Sequence, residues 1–319
     1  MISPINNIAR SATTKQSLNI LYFVSDDYFD STLCNVLPQH NFYAPINDHN
    51  RPNDWNFSLY PQPDNLYYIA NFHTNNIISK IDFDLIICHD RTTQYDIAKQ
   101  LANILHINVV IIEHIANTEY LDLIGMIPLL KKTKNDINVF VEDVQKQFKI
   151  NGTIIKYSIS NLYPNNKKDQ ICIFDAEPTI LDGIKQHITK PTITDNTKTI
   201  SADQYHDTLK NSKFYFNLSA ETTRIQPSVL HAMSAGCIVV SMSSPIINNL
   251  ITHMETGIIF QNMEELIQLW HNIDNSTGAD TTKIAKNANQ YIVDNYNPET
   301  FQQKWSTLLI NTSNKTYIR

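Results

Sequence analysis

KFYFNLSAETTRIQPSVLHAMSAGCIVVSMSSPIINNLITHMETGIIF, Lys213 to Phe260, has the punctuation of an α/β unit. Lys213–Leu218 is an apolar run that predicts a buried parallel strand. The polar loop Ser219–Gln226 feeds Pro227–Ala235, which predicts a helix with proline in its first turn. Gly236 stands where a helix ends in the left-handed region. Cys237–Ser241 and Gly257–Phe260 predict two further strands. A loop delivered into a helix start meets free backbone N–H groups and the positive end of the helix dipole. Both favour an anion such as a diphosphate. Arg224, just before the helix, offers a charge-assisted contact to the same anion. On spacing alone the unit fits any Rossmann-like βαβ, so it points to a fold before it points to a ligand.

Outward from this segment, strands and helices alternate in both directions. Leu18–Val24, Leu66–Ala70, Asp84–Cys88, Asn108–Ile112, Asn138–Val141 and Thr153–Lys156 predict strands. Tyr28–Val36 and Gln94–Leu105 predict helices, the second with Ile97, Ala98, Leu101, Ala102 and Leu105 at helical spacing. Pro45–Pro63, with four prolines among Asn and Asp, reads as a surface excursion. Ser158–Gln170 is polar, contains Pro164 and reads as an interdomain linker. Beyond it come a strand at Ile171–Phe174 and helices at Thr179–His187 and Ser201–Lys210, Ser201 being the N-cap and Gln204 its capping-box partner. Met263–Ile273, Thr281–Tyr296 and Pro298–Ile310 predict the closing helices. The expected class is α/β, with two Rossmann-like domains facing across a cleft: 1–160, then 161–297, then a closing helix at 298–319. Between Lys185 and Ser201 the second domain looks short, as though a βα unit were trimmed. Ligands of open α/β sheets bind beyond the carboxyl ends of the strands. The loops after Cys88, Ile112, Phe174, Leu218 and Ser241 are therefore the expected site.

Composition removes several functions. A chain of 319 residues accommodates two domains of about 150 each. None of its six glycines precedes Gly125, so no Gly-x-Gly-x-x-Gly turn or P-loop can follow the first strand. That sets aside the nicotinamide dehydrogenases and P-loop NTPases. A net charge of −6 without a basic stretch argues against nucleic acid. No apolar run approaches the ~20 residues of a membrane span. Cys34, Cys88, Cys172 and Cys237 are far apart and form no Cys-x-x-Cys pair, which predicts free thiols in a reducing, cytoplasmic compartment and no bound metal. Met1–Lys15 lacks the apolar core of a secretory signal and reads as a disordered leader.

Pro227-Ser-Val-Leu-His231-Ala-Met-Ser-Ala-Gly236-Cys-Ile-Val-Val240 resembles the donor-binding segment of group-1 glycosyltransferases of the GT-B fold. Their pattern there is Pro-x-x-Leu-Leu-Glu-Ala-Met-Ala-x-Gly-x-x-Val-Val. Asn248-Asn-Leu-Ile251 through Gly257-Ile-Ile-Phe260 continues the likeness, and Tyr296–Trp305 resembles the family's closing helix, which crosses back onto the N-terminal domain. Asp84–Asp90 and Val109–His114 resemble the two central strands of the acceptor domain, and His114 matches a histidine that touches the donor sugar. The resemblance implies transfer of a sugar from a UDP- or GDP-sugar to a glycan, lipid or protein acceptor. It implies retention of configuration and neither metal nor cofactor. Thr223, Ile225, Gln226, Pro227, Ser228 and His231 fall on the donor positions. His114, Asp90 and Arg224 are the catalytic candidates, and His89 and Glu113 the acceptor-side ones. Each residue also has a plainer reading. His114 fits a satisfied core histidine. Asp90 fits either a base for an inverting transfer or a cap before Gln94. Glu113 fits either an acceptor-orienting group or a partner of Arg91. A homo-oligomer is compatible with the sequence.

The pattern also breaks. The family's two glutamates, with seven residues between them, align with Thr223 and His231, while Glu221 is out of register. Neutral histidine accepts one hydrogen bond where a carboxylate accepts several. After the first strand of the donor domain the family has an Arg and a Lys, whereas this chain has Asp175 and Glu177, with Lys185 far along. Losing one contact to a leaving phosphate costs about 3 kcal/mol. A catalytically inactive sugar- or nucleotide-binding module, or a partner subunit, is the second expectation.

Overall fold

The computed structural model describes residues 17–46, 55–70, 80–90, 93–115, 125, 128, 136–142, 151–163, 168–175, 178–188, 190–219, 223–274 and 278–313. The expected leader and the expectations attached to Arg91, Pro164, Glu177 and Glu221 lie outside them. The first half runs β1 (Asn19–Tyr22), α1 (Asp27–Val36), β2 (Asn41–Ile46), β3 (Leu66–Ala70), β4 (Leu85–His89), α2 (Thr93–Leu105), β5 (Asn108–Glu113), β6 (Ile137–Phe140) and β7 (Thr153–Ile154). The second runs β8 (Lys168–Phe174), α3 (Pro178–Lys185), β9 (Thr192–Asp195), α4 (Ala202–Asn211), β10 (Ser212–Asn217), α5 (Pro227–Ser234), β11 (Ile238–Met242), α6 (Pro245–Leu250), β12 (Ile258–Phe260), α7 (Met263–Asp274), α8 (Gly278–Asn295) and α9 (Pro298–Ser313).

Two sheets result, each wholly parallel. The first has seven strands in the order β3-β2-β1-β4-β5-β6-β7, and the second five in the order β12-β11-β10-β8-β9. Every residue of β4, Leu85 to His89, is buried, as expected of a central strand covered on both faces. α4 starts where the sequence predicts, with Ser201 and Gln204 forming a reciprocal capping box. Gly236 has φ of 68°, and a Cβ there would meet the Tyr163 ring, so both its backbone and its space require glycine.

Two expectations are corrected. The Pro45–Pro63 excursion loses its first residues to β2, which pairs on both sides and places Pro45 opposite Ile69. Near its end, Trp55 and Leu59 are buried in the core. The short stretch before Ser201 holds the edge strand β9, paired with β8 from Ile171↔Thr192 to Phe174↔Asp195.

The closing helix α9 belongs physically to the first sheet. Phe301, Trp305 and Leu309 are buried, and the Phe301 and Trp305 rings meet Phe29 of α1 at 5.8 and 6.2 Å. Gln302 Nε2 donates to the Val36 carbonyl at 2.7 Å, and Asn108 Nδ2 donates to that of Thr312 at 3.0 Å. One apolar cluster runs from Leu33 and Trp305 through Tyr157 to Tyr205 and Leu230, so the halves share a core. Among the described residues no helix is long and apolar enough to cross a membrane.

Candidate active site

Between the two sheets lies a cleft of about 780 Å³, lined from both halves. Its second-half wall is built largely from Lys213–Phe260, beginning at the tip of β10. β10 ends at Asn217, whose Nδ2 donates to Ser241 Oγ at 3.0 Å and ties the tips of β10 and β11 together. α5 starts after Gln226, which makes no side-chain cap bond, and Pro227 sits in its first turn. The Gln226 side chain therefore does not cap the start of α5, where the Ser228 N–H follows Pro227 and the Val229 N–H donates to the Gln226 carbonyl at 3.1 Å. Gln226, Pro227 and Ser228 line the cleft, as do Asn217, Leu218 and Ser219. Tyr215 donates to Ser228 Oγ at 3.1 Å, holding the start of α5 against β10. Thr223 is half-buried, and Ile225 is buried in the shared core.

His231 is buried under this wall. Its Nδ1 lies 3.2 Å from the Tyr205 hydroxyl, and Tyr28 of α1 packs against its ring edge-to-face at 4.7 Å. Burial, with His206 adding to it, lowers its pKa to about 3, so the ring is neutral. Tyr28 and Tyr205 both line the cleft, whereas His231 lies behind them.

Arg224 spans the halves. Its backbone forms an antiparallel bridge with Ile115, and its guanidinium Nη2 ion-pairs with Asp90 Oδ2. Asp90 sits just past β4 with φ of 46° and is buried. Its Oδ1 accepts from the His114 N–H at 3.0 Å, and its own N–H donates to the Ile112 carbonyl at 2.7 Å. These bonds fix the carboxylate toward Arg224.

His89 and His114 lie in the interior of the first half. His89 Nε2 is 3.1 Å from Asp30 Oδ1. The two imidazoles stack at 4.9 Å, with His89 Nδ1 and His114 Nε2 2.7 Å apart. His114 Nδ1 reaches the Tyr157 hydroxyl at 3.2 Å. Burial, then the neighbouring His89 and Arg224, holds His114 well below the usual imidazole range. Neither histidine lines the cleft. Glu113, at the end of β5, is also buried. Asp90, His114 and Arg224 are therefore brought together, and so are Gln226, Pro227 and Ser228. The two groups occupy different places.

The first-half wall was largely missed. Asp26, Asp27, Tyr28, Asn56 and Tyr60 line it. Asp26 caps α1, its Oδ1 accepting from the Phe29 N–H at 2.8 Å. Burial of the charge raises its pKa to about 6. Asp26 and Tyr28 lie at the start of α1, in the turn and helix that come after β1, so the rule that ligands sit beyond strand carboxyl ends pointed to them. Asn56 and Tyr60 carried no such signal. On the opposite wall, Asp175 follows β8 with φ of 53° and accepts from the Thr197 N–H and Oγ1 at 3.0 and 2.6 Å. Its carboxylate anchors the turn after β9. No group of three or more metal-binding side chains occurs among the described residues.

No family model matches the chain, and no curated protein matches it by sequence. Solved structures do match its fold. Anabaena HepE, in complex with UDP and glucose, is 12% identical with a TM-score of 0.67, over 92% of this chain and all of that one (100%). A glycosyltransferase from Rickettsia africae is 12% identical with a TM-score of 0.62, over 94% and 99%. Sucrose-phosphate synthase from Thermosynechococcus elongatus is 11% identical with a TM-score of 0.63, over 91% and 98%. The fold is the GT-B type: two parallel Rossmann-like sheets facing across a cleft, with a helix returning from the second to the first.

Proposed function

We propose that the protein is a glycosyltransferase that takes a nucleotide sugar in the second half of the cleft and passes its glycosyl group to an acceptor held by the first. The observation that carries this reading is the start of α5. Its N-terminal turn, Gln226–Pro227–Ser228, opens without a side-chain cap onto the interdomain cleft, the physical requirement for holding a diphosphate. HepE, of the same fold, has been seen with UDP and with UDP-glucose, which supports UDP ahead of GDP as the nucleotide. Neutral His231, behind Tyr28 and Tyr205, is proposed to act on the donor through the Tyr205 hydroxyl rather than to replace the two ribose contacts of a glutamate. Retention of configuration and metal independence are carried forward from the family resemblance, and a reducing, cytoplasmic setting from the spacing of the four cysteines. Asp90, His114 and Arg224 are proposed to hold the domains closed over the donor, with His89 and Glu113 supporting them from within the first half.

Calorimetry with UDP and GDP, followed by hydrolysis and transfer assays over a panel of donors, tests this. Micromolar to millimolar UDP binding with donor turnover is expected. A protein that binds neither nucleotide at millimolar concentration rules out the donor site. A second reading, a binding module without turnover, is favoured by the pairing of Arg224 with Asp90 and by an acidic cleft wall. UDP binding without turnover of any donor would select it.

A further inference from the structure

We infer that Lys198, on the turn after β9, is the cation that holds the donor's diphosphate; this rests on the nucleotide-sugar reading above. A diphosphate needs positive charge close by, and a helix start supplies only about half an elementary charge. Among the described residues that line the cleft, the charged ones are Asp26, Asp27, Asp175 and Lys198. Arg224 is engaged by Asp90 of the other half. The three carboxylates each accept from a local donor: Asp26 from the Phe29 N–H at 2.8 Å, Asp27 from the Asn56 N–H at 2.8 Å, and Asp175 from Thr197. Those bonds hold the carboxylates in place as caps and anchors and leave Lys198 as the basic group facing the ligand space.

The turn that carries Lys198 is built rather than loose. The Lys198 N–H donates to Asn196 Oδ1 at 2.8 Å, and the Thr199 N–H to the Asn196 carbonyl at 2.9 Å. From below, Asp175 grips Thr197. From the opposite domain, Asn56 Nδ2 donates to the Thr197 carbonyl at 2.7 Å, and the Ala202 N–H donates to the Ser58 carbonyl at 3.2 Å. The lysine is therefore presented at a point where the two halves touch. Asp175, where the family resemblance leads one to expect a base, positions a base that comes from the next loop.

The test compares UDP with uridine by calorimetry on the wild-type protein and on the Lys198→Ala, Lys198→Arg and Asn56→Ala variants. The wild type is expected to bind UDP more tightly than uridine. In Lys198→Ala, UDP affinity should fall about tenfold, the low end for a contact to an exposed charged group, with uridine affinity unchanged. Lys198→Arg should restore most of the loss, and Asn56→Ala should weaken UDP more than uridine. Equal loss for UDP and uridine, or no loss for either, overturns the assignment. If wild-type protein binds no UDP, the donor-site reading and the lysine assignment fall together.

Discussion

Replacing Asp26 with Asn separates the charge of this carboxyl from its duty as a helix cap. Asn caps a helix about as well as Asp, because it too offers an oxygen to the Phe29 N–H. What disappears is a partly buried negative charge. Burial is the largest cause that raises Asp26 from 3.8 to about 6; the Phe29 N–H opposes it and Asp30 adds to it. A difference of that size corresponds to roughly 3 kcal/mol. Water in the open cleft reduces the expectation to about 1–2 kcal/mol. The sign follows from proton counting. Between 3.8 and about 6 the native protein holds a proton on Asp26 that the unfolded chain has released, so stability falls as pH rises through that window. Asp26→Asn removes this dependence. Urea denaturation should find the variant more stable than wild type by about 1–2 kcal/mol at pH near 7.5, the gap closing toward pH 4. A variant less stable at neutral pH, or a gap constant with pH, is the contrary outcome. The first result would mean that the carboxylate is stabilised in its charged form, the second that its pKa is the same in the folded and unfolded chain.

Arg224→Ala leaves Asp90 buried without its ion-pair partner and should cost about 2 kcal/mol, reduced from the 3–5 of a fully buried pair because Arg224 is about one-third exposed. Combining it with Asp90→Asn should recover most of that loss, and a double mutant as damaged as the sum of the singles shows that the pair is not coupled. Gly236→Ala forces a side chain into the left-handed region and against Tyr163, and should lower stability by roughly 1–3 kcal/mol in thermal or urea melts. Trp305→Ala empties a fully buried site between α9 and α1 and should cost about 3–5 kcal/mol, with the near-ultraviolet dichroism of the aromatic cluster weakened.

The strands of the central layers were legible because runs such as Leu85–Cys88 and Val109–Ile112 are apolar on both faces, as a covered parallel strand requires. β2 was hidden by Pro45, which lacks an N–H for the ladder and breaks the strand signal even though the strand lies inside the sheet. β9 was hidden by polarity: Thr192–Asp195 is an edge strand with little apolar surface to bury. In the site, the start of α5 was legible because proline and a polar loop mark a helix entry wherever the chain goes next. The partnership of Arg224 with Asp90 was not, since the two are 134 residues apart and lie in different halves. Lys198 was missed for the same reason. Its significance comes from Asp175 and Asn56, which reach its turn from distant parts of the chain.

The return of α9 to the first sheet sets an order of assembly. As the chain leaves the ribosome, β1 to β7 emerge first, yet the apolar face around Phe29 has no cover until Phe301 and Trp305 arrive. The bonds that seat α9 join residues 204 and 266 positions apart. Contacts of that separation form late, because the intervening chain must be ordered before they can close. The first half is therefore a folding unit completed by the second. A substitution that unseats α9 should lower the yield of folded protein during synthesis more than it lowers the stability of the molecules that do fold.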